Sequence, residues 1–167
     1  MKIRNAILSD LEEIYNIEKQ CFPFWEAASK EQLEERLNYF PDCFFVMDTE
    51  DGMIGFINGM ATDIPDLDDT MYENAALHNK NGAWQMVFGL DVLPEYQHNG
   101  YASMLMNHLI QNTKKAGRNG VVLTCKKELL EFYQKFGFRN EGISQSVHGG
   151  AVWYQMRLTL NETDVIE

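Results

Sequence analysis

The sequence predicts an α/β fold in which a mixed β-sheet of about seven strands is flanked by about four helices. The first observation is the element order, β-α-α-β-β-β-α-β-α-β-β, which combines hairpins with one strand-helix-strand crossover. The second is composition: 167 residues, 45% of them hydrophobic and 23% charged, can form one packed core but not two. We therefore expect a single domain over residues 1–160 and a polar tail at 161–167.

The first third of the chain predicts one strand followed by two helices. Residues 2–6 are typical of a short strand, and Ser9 or Asp10 then caps a helix. The apolar face of that helix recurs at helical spacing and comprises Leu11, Ile14, Ile17 and Cys21. A second helix begins at Ser29 and ends within residues 38–41.

The middle of the chain predicts three β-rich segments, residues 43–49, 53–62 and 83–93. The Asp51-Gly52 pair between the first two is a strong signal for a tight antiparallel hairpin. Residues 62–82 are rich in Asp and long for a connector, which indicates a functional loop. The third segment stops at Pro94.

The last third predicts a helix, a strand, a short helix and a final hairpin. The helix begins at Ala102, and Gly117 and Gly120 close it. The following elements are expected over residues 121–125, 129–136, 138–147 and 151–160.

Charge and cysteine content exclude several classes of protein. The 14 Lys and Arg residues against 25 Asp and Glu give a formal charge of -11, which repels the phosphates of nucleic acids and membranes. Neither nucleic acid nor membrane is therefore an expected partner. The cysteines lack a Cys-x-x-Cys spacing and the histidines lack ligand spacing with other donors, so we expect neither a disulfide framework nor a metal. The apolar runs are too short for a membrane span or a secretion signal, which favours a cytoplasmic protein.

The stretch from Leu90 to Ala102 leads from a strand through a proline-bounded loop into a helix N-terminus. Free N–H groups of a first helical turn, together with the helix dipole, form a site for phosphate, and Gly100 keeps the approach to the backbone open. The pattern Gln97-x-x-Gly100-x-Ala102 is neither a P-loop nor a dinucleotide fingerprint. Alone it more often marks a simple turn before a packed helix.

A second motif favours a functional role for this loop. Residues 132–138 read Phe-Tyr-Gln-Lys-Phe-Gly-Phe and contain Tyr133. With both motifs, the sequence resembles the GCN5-related N-acetyltransferases (GNAT superfamily), which have this element order and a pyrophosphate loop of the form Gln/Arg-x-x-Gly-x-Gly/Ala. The resemblance spans residues 2–160. Within the superfamily it is greatest to the arylalkylamine (serotonin-type) N-acetyltransferases and their microbial relatives, through residues 21–29, the loop around Gly100, and residues 123–138.

The resemblance implies acetyl-CoA as co-substrate. The backbone of the strand before the loop would pair with the pantetheine arm, main-chain N–H groups of the loop would hold the pyrophosphate, and Gln97 would shape that loop. The implied cofactor-binding residues are Leu90, Asp91, Val92, Gln97, His98, Asn99, Gly100, Tyr101, Ala102 and Ser103. A backbone N–H of the Leu90 strand would meet the charge that develops on the thioester oxygen.

Tyr133 is the predicted catalytic residue. When an amine attacks the thioester a thiolate leaves, and a phenol with a pKa of about 10 can donate a proton to it. Without the motif, the same tyrosine would be interpreted as one more core aromatic.

Four residues are expected at the acceptor pocket: Glu26, Met86, Phe88 and His148. Met86 and Phe88 stand where arylalkylamine enzymes carry two histidines, and neither can accept a proton, so a base must come from elsewhere or be unnecessary. Other interpretations remain open: plain core for Met86 and Phe88, a helix start for Glu26, and an exposed loop residue for His148.

The hypothesis is an acetyl-CoA-dependent N-acetyltransferase in which a small arylalkyl or aliphatic primary amine attacks the bound thioester directly. The alternatives are a peptide or protein N-acetyltransferase and a non-catalytic acyl-CoA-binding sensor. Tyr133 favours the enzyme, whereas the missing histidine pair favours the sensor. The final strands could also pair across a homodimer.

Overall fold

Nine strands and five helices follow one another along residues 1–160, the part of the chain that this computed structural model describes. Strands β1 to β9 span Lys2–Asn5, Phe44–Thr49, Gly52–Asn58, Ala61–Thr62, Trp84–Val87, Gly89–Val92, Gly120–Cys125, Arg139–Ile143 and Tyr154–Thr159. Helices α1 to α5 span Leu11–Cys21, Lys30–Tyr39, Asp69–Glu73, Tyr101–Lys115 and Leu130–Gln134. The predicted mixed α/β class is confirmed, and the predicted tail at 161–167 lies outside the described residues.

The strands form two sheets. The first has the order β1-β2-β3-β6 and is antiparallel throughout. The second has the order β4-β5-β7-β9-β8, in which β5 and β7 are parallel and are connected through α4. This is the predicted crossover among hairpins.

The strand predicted over residues 83–93 is two strands, and this corrects the sequence interpretation. The break falls at Phe88, whose N–H donates to the carbonyl of Asn58 at 2.7 Å. Before the break β5 pairs with β7, and after it β6 pairs with β3. Because the chain passes from one sheet to the other at this point, the sheets diverge and a gap opens between β6 and the end of β7.

Helices cover both faces of the diverging sheets. The apolar residues of α4 at helical spacing are at most 6% exposed; these are Leu105, Met106, Leu109 and Ile110. On another side Ile14 and Ile17 of α1 pack with Leu33 and Leu37 of α2. None of the described helices is both long and apolar enough to cross a membrane.

Local sequence signals explain several element ends. Ser29 Oγ accepts from the N–H of Gln32 at 3.1 Å while Gln32 Oε1 accepts from the N–H of Ser29 at 3.0 Å, a capping box that starts α2. Gly52 has φ 110° at the predicted hairpin. The long connector at 62–82 is not only loop, because it contains α3, and Asp68 caps that helix.

Candidate active site

The divergence of the sheets leaves one edge of β6 free. Leu90 and Val92 are opposite Ile57 and Gly55 of β3, and among residues 1–160 β6 has no other strand partner. The carbonyl of Val92 accepts from Gln97 Nε2 at 2.9 Å, which ties the following loop back to the strand. A free strand edge can pair with the amide groups of an extended ligand.

The loop between β6 and α4 presents a row of free peptide N–H groups. Within the described part of the chain, no N–H from His98 to Ser103 has an acceptor. His98 and Gly100 have φ 63° and 85°, and Asn99 Nδ2 donates to two carbonyls of the preceding turn at 3.1 Å. With the dipole of the 15-residue helix α4 behind it, this anion loop (residues 98–103) suits a phosphate group.

A pocket opens beside the free edge of β6. It encloses about 800 Å³ including its open mouth and lies between α2, the break at Phe88 and the end of β7. Its polar lining includes Glu18, Glu26, Arg36, Tyr72, Tyr133 and His148. Residues of β6 line it as well, so the strand connects the pocket with the anion loop.

Tyr133 on α5 lines this pocket. The residue is 7% exposed, its ring packs edge-on against Phe132 and Phe138, and its phenol oxygen has no hydrogen-bond partner among the described residues. Burial raises the pKa of Tyr133 well above its ordinary value. The phenol therefore keeps its proton across the physiological range and can donate it inside the pocket.

Glu26 and His148 meet at the mouth of the pocket. Glu26 Oε2 pairs with Lys126 Nζ at 2.7 Å, and the Glu26 carbonyl lies 2.7 Å from His148 Nε2. Because a carbonyl only accepts, Nε2 carries the proton and Nδ1 of a neutral His148 is left as an acceptor. The His148 ring also stacks on Tyr72 at 5.2 Å, and Trp153 Nε1 donates to the His148 carbonyl. Neither the helix-start nor the exposed-loop interpretation holds.

Met86 and Phe88 occupy different environments. Phe88 lines the pocket, with the Tyr72 ring at 4.9 Å. Met86 is fully buried in a cluster with Met60 and Val122 and does not line the pocket. The expectation that Met86 lines the acceptor pocket is wrong, because β5 is regular at Met86 and breaks only at Phe88.

The sequence interpretation assigns no acid-base role to two carboxyl groups close to the break at Phe88, those of Glu18 and Asp91. Asp91 is fully buried and its carboxyl oxygens have no donor among the described residues. Its carboxyl faces that of Glu18 on α1, which is 6% exposed and accepts from the Ala28 N–H at 2.8 Å. Burial, and then the charge of Glu18, raises the pKa of Asp91 well above its ordinary value. In this carboxyl pair (Glu18 and Asp91), Asp91 therefore keeps its proton at pH values at which an exposed aspartate has lost it.

The sequence held a signal for this pair. Glu18 interrupts the apolar face of α1, directly after Ile17 and four residues after Ile14, and Asp91 interrupts the apolar strand Leu90-Asp-Val-Leu93. A buried carboxyl is seldom found without a partner or a function.

Arg36 on α2 is the third charged group at this place. It is 4% exposed, donates from Nη1 to Asn58 Oδ1 at 3.3 Å and from Nη2 to the Tyr72 carbonyl at 3.2 Å, and has its guanidinium 4.9 Å from the centre of the Phe88 ring. Burial lowers the pKa of Arg36. No group of three or more His, Cys, Asp or Glu side chains within residues 1–160 could hold a metal ion.

Comparison with known proteins places this arrangement in a family. The sequence model of the acetyltransferase (GNAT) family matches residues 11–138. The chain belongs to this family. The predicted superfamily is thereby confirmed, whereas the likeness to arylalkylamine enzymes stays a prediction.

Solved structures show the same GNAT fold. A GNAT-like decarboxylase, GphF, in complex with isobutyryl-CoA is 21% identical, with a TM-score of 0.82 over 95% of this chain and 99% of that one. The loading GNATL domain of CurA from Lyngbya majuscula is 19% identical, with a TM-score of 0.83 over 96% and 98%. The ribosomal-protein-S18-alanine N-acetyltransferase of Escherichia coli is 19% identical, with a TM-score of 0.72 over 95% and 92%.

A curated relative is much longer than this GNAT chain. The probable hydrolase YhcX of Bacillus subtilis is 26% identical over 120 residues, which are 69% of this chain and 23% of that protein. This chain thus spans less than a quarter of the relative.

Proposed function

We propose that the protein transfers the acetyl group of acetyl-CoA to the primary amine of a small arylalkyl or aliphatic compound. The observation that carries this proposal is the gap between β6 and β7, which places a free strand edge between an anion loop and a pocket that contains a proton donor. Solved GNAT structures with a CoA derivative bound support the choice of co-substrate.

Each part of acetyl-CoA has a fitting surface on the chain. The free N–H groups of the anion loop would hold the pyrophosphate, and the open edge of Leu90 to Val92 would pair with the pantetheine amides. The thioester would then lie at the break, where a backbone N–H of the Leu90 strand would stabilise its oxygen during attack.

The proposed reaction is direct attack. The neutral amine forms a bond to the thioester carbon, the carbon–sulfur bond breaks, and Tyr133 donates its proton to the leaving sulfur. The carboxyl pair, Glu18 and Asp91, accepts the proton that the amine nitrogen loses. Glu18 lines the pocket and so is the member that the amine would reach.

The two alternatives account for less of the geometry. Glu26, His148 and Trp153 line the pocket together, and its volume of about 800 Å³ suits a small acceptor. Solved relatives include both a ribosomal-protein-alanine and a spermidine N-acetyltransferase. A non-catalytic sensor has no use for the unpartnered phenol of Tyr133 in the pocket.

The test is an amine panel with acetyl-CoA and a free-thiol readout. Release of CoA that depends on the amine is expected with arylalkyl or aliphatic amines. If acetyl-CoA stabilises the protein but no amine releases CoA, the sensor replaces the enzyme. If only peptides with a free N-terminus or lysine side chain release it, the acceptor class proposed here is wrong.

A further inference from the structure

We propose that Arg36 binds a carboxylate of the substrate, so that one of the two molecules in the pocket carries an acid group beside the group that reacts. The inference rests on the proposed function only in taking the pocket as the place where the reactants meet.

The guanidinium of Arg36 lacks the partner that a buried charge requires. The residue is 4% exposed, its Nε has no acceptor, and its two hydrogen bonds, to Asn58 Oδ1 and the Tyr72 carbonyl, are long at 3.3 and 3.2 Å. No carboxylate of residues 1–160 lies within 4.0 Å of it. A guanidinium has five N–H donors, and a buried charge is costly unless it is paired.

The nearby carboxyl groups do not fill this role. Glu18 accepts from the Ala28 N–H and faces Asp91, so the carboxyl pair acts on Arg36 through space and not by direct contact. Burial favours the protonated, uncharged form of Asp91, and Glu26 is paired separately with Lys126. A substrate carboxylate could therefore give Arg36 its direct partner without leaving another cation unpaired.

Arg36 is also positioned for recognition. It lines the pocket, and its guanidinium lies over the Phe88 ring at 4.9 Å, a cation–π contact that helps to hold it in place. A planar guanidinium matches a carboxylate with two parallel hydrogen bonds, which gives orientation as well as affinity. By contrast, Arg118, the other buried arginine without a carboxylate partner among residues 1–160, donates to the Gly82 carbonyl at 2.6 Å and does not line this pocket.

The carboxylate has two chemical sources. It can belong to the acceptor, which would then be an amino acid or a similar zwitterion, or to the acyl chain of a dicarboxylic acyl-CoA. Arg36 stacks on Phe88 at the break, next to the proposed thioester position, so both sources can reach it.

The experiment compares matched substrates on the full-length protein. One arm measures kcat/KM with acetyl-CoA for L-phenylalanine against phenethylamine and for L-leucine against isopentylamine. The other holds the best amine constant and compares malonyl-CoA and succinyl-CoA with acetyl-CoA. The member with the carboxylate should be preferred at least about 10-fold in one arm, the effect expected of a charged hydrogen bond. Absence of a preference in both arms overturns the inference.

Variants of Arg36 test whether this residue causes the preference for the carboxylate substrate. Arg36→Lys and Arg36→Met should reduce the preference to less than about 2-fold, because kcat/KM falls more for the carboxylate substrate than for its counterpart without the acid group. Arg118→Met is the matched control and should retain the preference. A preference that survives in both Arg36 variants overturns the inference, and Arg36→Lys decides alone if Arg36→Met does not fold.

A binding readout separates the inference from the proposed function. Calorimetric titration of L-phenylalanine and of succinate into the protein with CoA present should give binding that Arg36→Lys weakens by at least about 10-fold. If no amine is acetylated but this binding occurs, the proposed function fails and the inference stands. If amines are acetylated but no carboxylate compound binds or is preferred, only the inference fails.

Discussion

The proposed catalytic role of Tyr133 depends on its hydroxyl group alone. Tyr133→Phe keeps the ring contacts with Phe132 and Phe138 and removes the proton, so turnover should fall by roughly 10²-fold while the Kd for acetyl-CoA changes little. Steady-state kinetics and calorimetry measure the two quantities. Tyr39→Phe, at an exposed tyrosine, is the control. Retained turnover would make Tyr133 a packing residue.

The burial of Asp91 predicts a dependence of stability on pH. Burial and then the charge of Glu18 raise the pKa of Asp91, so the folded state keeps a proton that the unfolded state releases above about pH 4. Its contribution to stability is fully present below that pH and is lost as pH rises toward the folded pKa. The ionisable groups that face Asp91 are Glu18 and Cys21 on α1, Arg36 on α2 and Tyr133 on α5.

Asp91→Asn, which cannot ionise, should therefore stabilise the protein by an amount that grows from pH 4 to pH 8. Denaturant unfolding at several pH values measures the difference in the free energy of unfolding from the parent. Asp42→Asn, at an exposed carboxyl, should show no comparable growth. A difference that is constant with pH would show that folding leaves the pKa of Asp91 unchanged.

At the scale of elements, the turn from β6 into α4 carries the prediction for the cofactor. A saturating ligand that binds only the folded state, at 100 times its Kd, adds about 2.7 kcal/mol of stability, so acetyl-CoA should raise the melting temperature. Gly100→Val should abolish that rise, because φ 85° disfavours a β-branched residue and the anion loop would lose its shape.

Gly117 provides the matched control at the other end of the same helix. It has φ 72°, and as at Gly100 a Cβ would meet no atom within 4 Å. Gly117→Val should lower stability through the same backbone strain yet keep the rise with acetyl-CoA. Equal loss of the rise in both variants would assign the effect to α4 as a whole and not to the anion loop.

The elements also show which features could be predicted from sequence. The ends of α2 and α4 follow from the Ser29 capping box and from Gly100 and Gly117, since these signals are local in the chain. The break at Phe88 was not predicted, because it is set by hydrogen bonding to β3 and β7, which lie far away in sequence. For the same reason the sequence places Met86 in the acceptor pocket, whereas the structure buries it in the regular part of β5.

The residues of the candidate site also differ in whether local sequence signals can predict them. Tyr133 and the anion loop belong to short motifs that can be found in one sequence. The carboxyl pair and Arg36 come from α1, β6 and α2, and their proximity depends on how those elements pack. The sequence shows that these charged residues stand at otherwise apolar positions. It does not show that they lie together in the fold.

The whole molecule carries a charge of -11, and this predicts opposite salt effects on the two substrates. Acetyl-CoA is an anion through its phosphates and is repelled, whereas a cationic amine is attracted. The screening length falls from about 30 Å at 0.01 M salt to about 8 Å at 0.15 M, so this long-range field is largely removed over that range. The KM for acetyl-CoA should therefore fall with added NaCl and the KM for phenethylamine should rise, while that of zwitterionic L-phenylalanine changes little. Kinetics at both salt concentrations and pH 7 measure all three, and a KM for phenethylamine that is independent of salt would show that the acidic surface does not guide the acceptor.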